Sequence, residues 1–143
     1  MVSLRHAGVV VADLERALEF YLGVFGLRVV AREVETGPFI EALVGLPDVQ
    51  LEWAKLAGSN EVLLELLCYH SHPETLRQRG VQSLGCSHVA FTVEDIHETV
   101  ARIQARGGSA GEPLVNPQGT VEVVYARDPE GVLLEVVSAR EAR

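Results

Sequence analysis

Apolar positions along the chain alternate between strand-like and helix-like spacing, and the whole pattern runs twice. Residues 4–11, "LRHAGVVV", read as a strand. Leu14, Ala17, Leu18, Tyr21 and Phe25 then recur at helical spacing, with Asp13 placed as an N-cap and Gly26 as a stop. Strands are predicted over 27–35, 49–56 and 61–69, the last two separated by the turn signal "GSN". "PFIEALVGLP" (38–47) interrupts them as a short inserted helix, which could form a lid. The second pass opens on "HVAFTV" at residue 88. Asp95 and Glu98 then make a capping-box-like start, Ile96, Val100 and Ile103 form an apolar stripe, and Gly107-Gly108 ends it. Strands over 110–115, 120–127 and 132–138 follow, with "DPEG" as the turn. Each pass therefore reads as strand, helix, then three strands.

The duplication extends to individual residues. "HAGVVVADLERALEFY" (6–21) lies over "HVAFTVEDIHETVARI" (88–103) at an offset of 88 − 6 = 82, matching His6 to His88, Asp13 to Asp95 and Gly26 to Gly108. "VQLEWA" (49–54) resembles "VEVVYA" (121–126), which sets Trp53 against Tyr125 at an offset of 72. The hexapeptides "VLLELL" (62–67) and "VLLEVV" (132–137) close the two passes at an offset of 70. The fold expected is α+β: a single 143-residue domain of two tandem βαβββ modules, about 1–70 and 84–139, joined by a polar linker over 70–83. Their curved sheets would form a half-barrel cleft.

Composition narrows the function. Apolar content of 48% and charged content of 22% suit a soluble globular chain, and a net charge of −8 argues against nucleic-acid or anionic-membrane partners. No apolar run reaches the length of a membrane span and "MVSLRHAG" lacks a signal-peptide core, so a cytoplasmic location is expected. Cys68 and Cys86 form no CxxC pair and read as small buried apolar side chains.

The two hexapeptides carry the chemistry. Each places a glutamate, Glu65 or Glu135, among aliphatic residues, where an unpartnered carboxylate would be costly. Period-two alternation turns Val9 and Val11 toward the helix in the first module, and Val89, Phe91 and Val93 in the second. His6 and His88 then look into the concave side. Two imidazoles and two carboxylates converging there would make a divalent-metal site whose charge offsets burial of the glutamates. Glu52 is a further carboxylate and possible base, though a solvated strand residue is its simpler role. Trp53 and Tyr125 read as core or pocket wall with core favoured, and His70, His72 and His97 as loop or helix-surface residues.

"HAGVVVADLERALEFYLGVFGLRVV", "HVAFTVEDI" and "DPEGVLLEVV" together resemble the vicinal oxygen chelate superfamily, which includes glyoxalase I, methylmalonyl-CoA epimerase, extradiol dioxygenases and the fosfomycin and bleomycin resistance proteins. The resemblance implies metal ligands at His6, Glu65, His88 and Glu135 for nickel, cobalt, zinc, manganese or iron. Four filled positions are similar to glyoxalase I and the epimerases, metalloenzymes (lyases and isomerases) that move a proton next to a carbonyl. It further implies that Glu135 or Glu65 is the catalytic base, that the partner is a small-molecule substrate, and that chains pair as a homodimer. The alternatives are an iron-dependent ring-cleaving dioxygenase and a non-catalytic drug-binding protein.

Overall fold

The computed structural model describes residues 1–61, 63–75 and 77–140. Val62 (in the strand expected over 61–69), Leu76 (in the expected linker) and residues 141–143 lie outside the described residues. The chain divides into two units, Met1–Leu22 with Gly26–Thr75, and Gly23–Phe25 with the chain beyond Thr75.

The first unit runs β1 (His6–Val10), α1 (Leu14–Phe25), β2 (Arg28–Glu35), α2 (Pro38–Val44), β3 (Leu51–Ala57) and β4 (Leu63–Tyr69). Helix α1 begins where expected: Asp13 is extended, and its carboxylate accepts the Arg16 N–H at 3.0 Å, satisfying one of the orphan donors of a helix start. It ends at Gly26, whose φ of 65° is left-handed backbone that a side chain would strain. Helix α2 starts on Pro38, whose missing N–H costs nothing in a first turn.

The four strands lie in the order β1-β4-β3-β2, with β1 parallel to β4 and the other pairs antiparallel. Alternation gives the sheet two faces. Ala54, Leu56, Leu64, Leu66 and Cys68 point one way and are buried. Arg32, paired with Ala54 on that face, reaches Glu15 of α1, so α1 is the layer that covers it. The helix contributes buried Leu14, Ala17, Leu18 and Tyr21, as its spacing predicts, and also Phe20. His6, Gly8, Lys55, Trp53, Glu65 and Leu67 point the other way. There α2 inserts Ile40 into an apolar cluster with Val49 and Leu51, against which Trp53, Leu67 and Tyr69 pack. The insertion thus covers one end of the face that carries Glu65.

The second unit contains β5 (Val89–Thr92), α3 (Ile96–Ala105), β6 (Ser109–Ala110), β7 (Leu114–Val115), β8 (Val121–Arg127) and β9 (Leu133–Ala139). Its strand order is β5-β9-β8-β6, with β7 also on β8, and β5 parallel to β9. Asp95 caps α3 by accepting the Glu98 N–H at 2.9 Å. The reciprocal half of the capping box is replaced, because the Glu98 carboxylate accepts from Arg102. Helix α3 packs on β6, β8 and β9, with Ile96, Thr99 and Ile103 buried against the sheet that holds Leu134 and Val136. The single strand expected over 110–115 is two: Gly111-Glu112-Pro113 breaks it, since proline has no N–H to give to β8.

The two closing hairpins are superimposable in number. β3 and β8 start 121 − 51 = 70 apart, and β4 and β9 end 139 − 69 = 70 apart. This corrects the offset of 72 read from "VQLEWA": the register partner of Glu65 is Lys55, that of Glu135 is Tyr125, and Trp53 corresponds to Val123. The β8–β9 turn is held by Asp128, whose Oδ1 accepts the N–H groups of Glu130 and Val132, both at 2.9 Å. No helix among the described residues is long and apolar enough to cross a membrane.

Candidate functional site

Each unit brings one histidine from its opening strand to one glutamate on its closing strand. In the first, Gly8 is the neighbour of Glu65 across the β1–β4 ladder, two residues along from His6. A methyl at Gly8 would come within 3.2 Å of Leu67 Cδ1, so glycine keeps the ladder open beside the carboxylate. His6 Nε2 lies 3.4 Å from Glu65 Oε2. Lys55 Nζ reaches the same oxygen from the other side at 3.6 Å. Glu65 is 8% exposed, and these two cationic or polar partners are what make its burial tolerable. His6 Nδ1 is buried without a hydrogen-bond partner among the described residues.

In the second unit Ala90 takes the place of Gly8 beside Glu135. His88 Nε2 is 2.9 Å from Glu135 Oε2, and its Nδ1 is 3.0 Å from Ser87 Oγ. The Ser87 hydroxyl donates to the Val81 carbonyl at 3.2 Å, which leaves its oxygen as an acceptor for a proton on His88 Nδ1. That arrangement holds the ring from its Nδ1 side and presents Nε2 to Glu135, the kind of outer contact that orients ligand histidines. The Tyr125 ring, centred 5.2 Å from the His88 ring, lies beside the pair.

Each pair supplies two of the donors that a divalent ion would need. Adjacent ligands of an ion with bonds of about 2.1 Å sit about 3 Å apart, which the 2.9 and 3.4 Å separations approach. Imidazole and carboxylate suit the metals expected from sequence, and the orphaned His6 Nδ1 is one ring nitrogen not committed to the protein among the described residues. Within either unit, no third histidine, cysteine, aspartate or glutamate joins a pair to make a three-donor cluster among the described residues.

The remaining candidates fall elsewhere. Glu52 is on the face opposite Glu65 and is neither solvated nor near it: it accepts from Arg32 at 2.9 Å and from His70 Nε2 at 2.8 Å. The His70 hydrogen bond, and then Arg32, hold its carboxyl below the usual glutamate value of 4.5. A carboxyl whose folded pKa is depressed adds stability above its unfolded pKa and loses it as pH falls through the folded one. Thermal melts of Glu52→Gln should therefore fall less steeply than those of the native chain on acidification below about pH 4.5; parallel curves would deny Glu52 this role. Tyr125, expected as core or pocket wall with core favoured, is 48% exposed, because its register partner is Glu135 on the open face. Trp53 is half-buried and donates from Nε1 to Glu35 at 2.6 Å. His72 and His97 are surface residues beside Ser71 and Glu122. Cys68 is buried and donates to the Ala12 carbonyl, whereas Cys86 is exposed, against expectation. Lys55 was missed from sequence, although a hairpin centred on the "GSN" turn pairs residues whose numbers sum to 120 and so sets it opposite Glu65.

The chain belongs to the glyoxalase/bleomycin resistance protein/dioxygenase superfamily, whose family model matches residues 3–136. This confirms the family indicated by the repeated motifs. The chain is similar to a probable lactoylglutathione lyase of Synechocystis, 29% identical over 136 residues that cover 94% of this chain and 93% of that one. It is 28% identical to a lactoylglutathione lyase of Neisseria meningitidis, over 97% of this chain and 92% of that one. Among solved structures, a glyoxalase family protein from Bacillus cereus matches with a TM-score of 0.88 and 25% identity, over 97% of this chain and 95% of that one.

Proposed function

We propose that the protein is a glyoxalase I-like lyase that moves a proton next to a carbonyl in the adduct of a 2-oxoaldehyde and a thiol. The observation that carries this reading is the pairing of His6 with Glu65 and of His88 with Glu135 at repeat-related positions. The relatives named lactoylglutathione lyase support it. His6, Glu65, His88 and Glu135 are the residues that would serve as ligands of divalent metal. When bound, that metal supplies a Lewis acid that stabilises negative charge developing on a substrate oxygen.

The chain's own part is proton transfer. Glu135 is half-buried, with Oε2 2.9 Å from His88 Nε2, so one carboxylate oxygen can take the substrate's carbon-bound proton and return it to the neighbouring carbon. Ser87 and Val81 keep the His88 ring from turning as this happens. Trp53 and Leu67, backed by the α2 cluster, give the Glu65 face an apolar wall against which an aliphatic or aromatic substituent can lie.

Incubation with divalent metal in deuterated water, with the hemithioacetal of a 2-oxoaldehyde, should yield product carrying deuterium at the α-carbon. Elemental analysis should show metal in the native protein and strongly reduced loading in His6→Ala and His88→Ala. Full loading in both variants would overturn the ligand assignment, and absence of turnover with the loaded protein would overturn the reaction.

A further inference from the structure

Lys55 is the only lysine among the 143 residues, and it occupies the slot opposite Glu65 that the second unit fills with uncharged Tyr125 opposite Glu135. Its ammonium lies 3.6 Å from Glu65 Oε2 and 4.6 Å from the centre of the Trp53 ring. It therefore touches a carboxylate and an indole face at once, on a flexible four-carbon stem. The indole itself is anchored, since its Nε1 donates to Glu35. A divalent ion on Glu65 and an ammonium on the same carboxylate repel each other at short range, so the two cannot share it without loss.

We propose that Lys55 is the resident counter-ion of Glu65 and is exchanged for the divalent ion: the ion takes the carboxylate as the ammonium withdraws onto the Trp53 face. This rests on Glu65 being a ligand, as in the function proposed above, but not on any reaction. Lys55 makes the first unit's carboxylate tolerable in the absence of the ion, and in doing so it weakens ion binding. The residue thereby sets the affinity of the site, a role that Tyr125, without charge, does not have in the second unit.

Zinc ion titrated calorimetrically into the native protein, Lys55→Met and Lys55→Arg tests the exchange. Lys55→Met should bind roughly tenfold tighter than the native chain, and Lys55→Arg no tighter. Because Lys55 is the only lysine, an amine-acylating reagent followed by proteolysis and mass spectrometry reads it in one peptide, apart from the N-terminal amine. Acylation of Lys55 in the native protein should speed up severalfold when zinc is added, as the ammonium leaves the carboxylate. Equal or weaker zinc binding by Lys55→Met overturns the exchange while leaving the functional reading in place. Zinc bound by none of the three proteins overturns both. If Lys55→Met does not fold, the acylation of the native protein decides: a rate unmoved by bound zinc refutes the proposal.

Discussion

Glu135→Gln is expected to lower proton exchange with solvent by about 10²-fold or more, the usual weight of a positioned acid–base group. Glutamine preserves the shape of the side chain and an oxygen toward His88, so the β5–β9 pairing and the His88 ring position should persist. What disappears is an oxygen able to accept the carbon-bound proton, together with one negative charge. Mass spectrometry of product formed in deuterated water reads the loss directly, and circular dichroism checks that the fold is kept. Glu65→Gln is the companion, and it should retain more exchange, because Glu65 is the more buried and is engaged by both His6 and Lys55. A larger loss in Glu65→Gln would place the base in the first unit. If neither variant alters exchange, and the protein consumes oxygen with catechols and ferrous iron, the ring-cleaving dioxygenase reading replaces this one.

The largest effect on stability is expected at Leu66. Its side chain is 0% exposed, in the middle of β4, on the face covered by α1 and flanked across the ladder by Ala54. Leu66→Ala removes apolar surface and leaves a cavity that Ala54 cannot fill, at a cost of about 2–5 kcal/mol. For a domain whose whole stability is about 5–15 kcal/mol, that is a large share. Urea unfolding should show a lower midpoint with an unchanged slope. A shift of less than about 1 kcal/mol would mean that the core collapses around the vacancy.

Much of this architecture was legible in the sequence because the signals were local and duplicated. Asp13 and Asp95 are N-caps and Gly26 is a C-cap, since each does its work within a few residues of chain. The histidine–glutamate pairings were legible for a different reason: the repeat supplied two copies of one oddity, and alternation put both members on one face. What escaped depends on pairing across the sheet. The division of 110–115 into β6 and β7 follows from which N–H groups β8 can receive, not from apolar content. Tyr125 read as core or pocket wall with core favoured, and only its register partner shows that it lies on the open face. Lys55 was silent as a residue type and speaks only through the hairpin register. Glu52 was read as solvated because its partners come from afar: Arg32 lies 20 residues away and His70 lies 18 away.

The parallel neighbours in each sheet have a consequence for cooperativity. His6 and Glu65 are separated by 65 − 6 = 59 residues, and His88 and Glu135 by 47, so each pair ties the beginning of its unit to the end. Everything between, the crossover helix and the intervening strands included, must be in place before the two side chains meet. A ligand that grips such a pair closes a long loop, and the free energy of its binding is shared by the whole unit rather than by one hairpin. Occupancy of either pair should therefore slow amide exchange throughout its unit, well beyond the residues that touch the ligand.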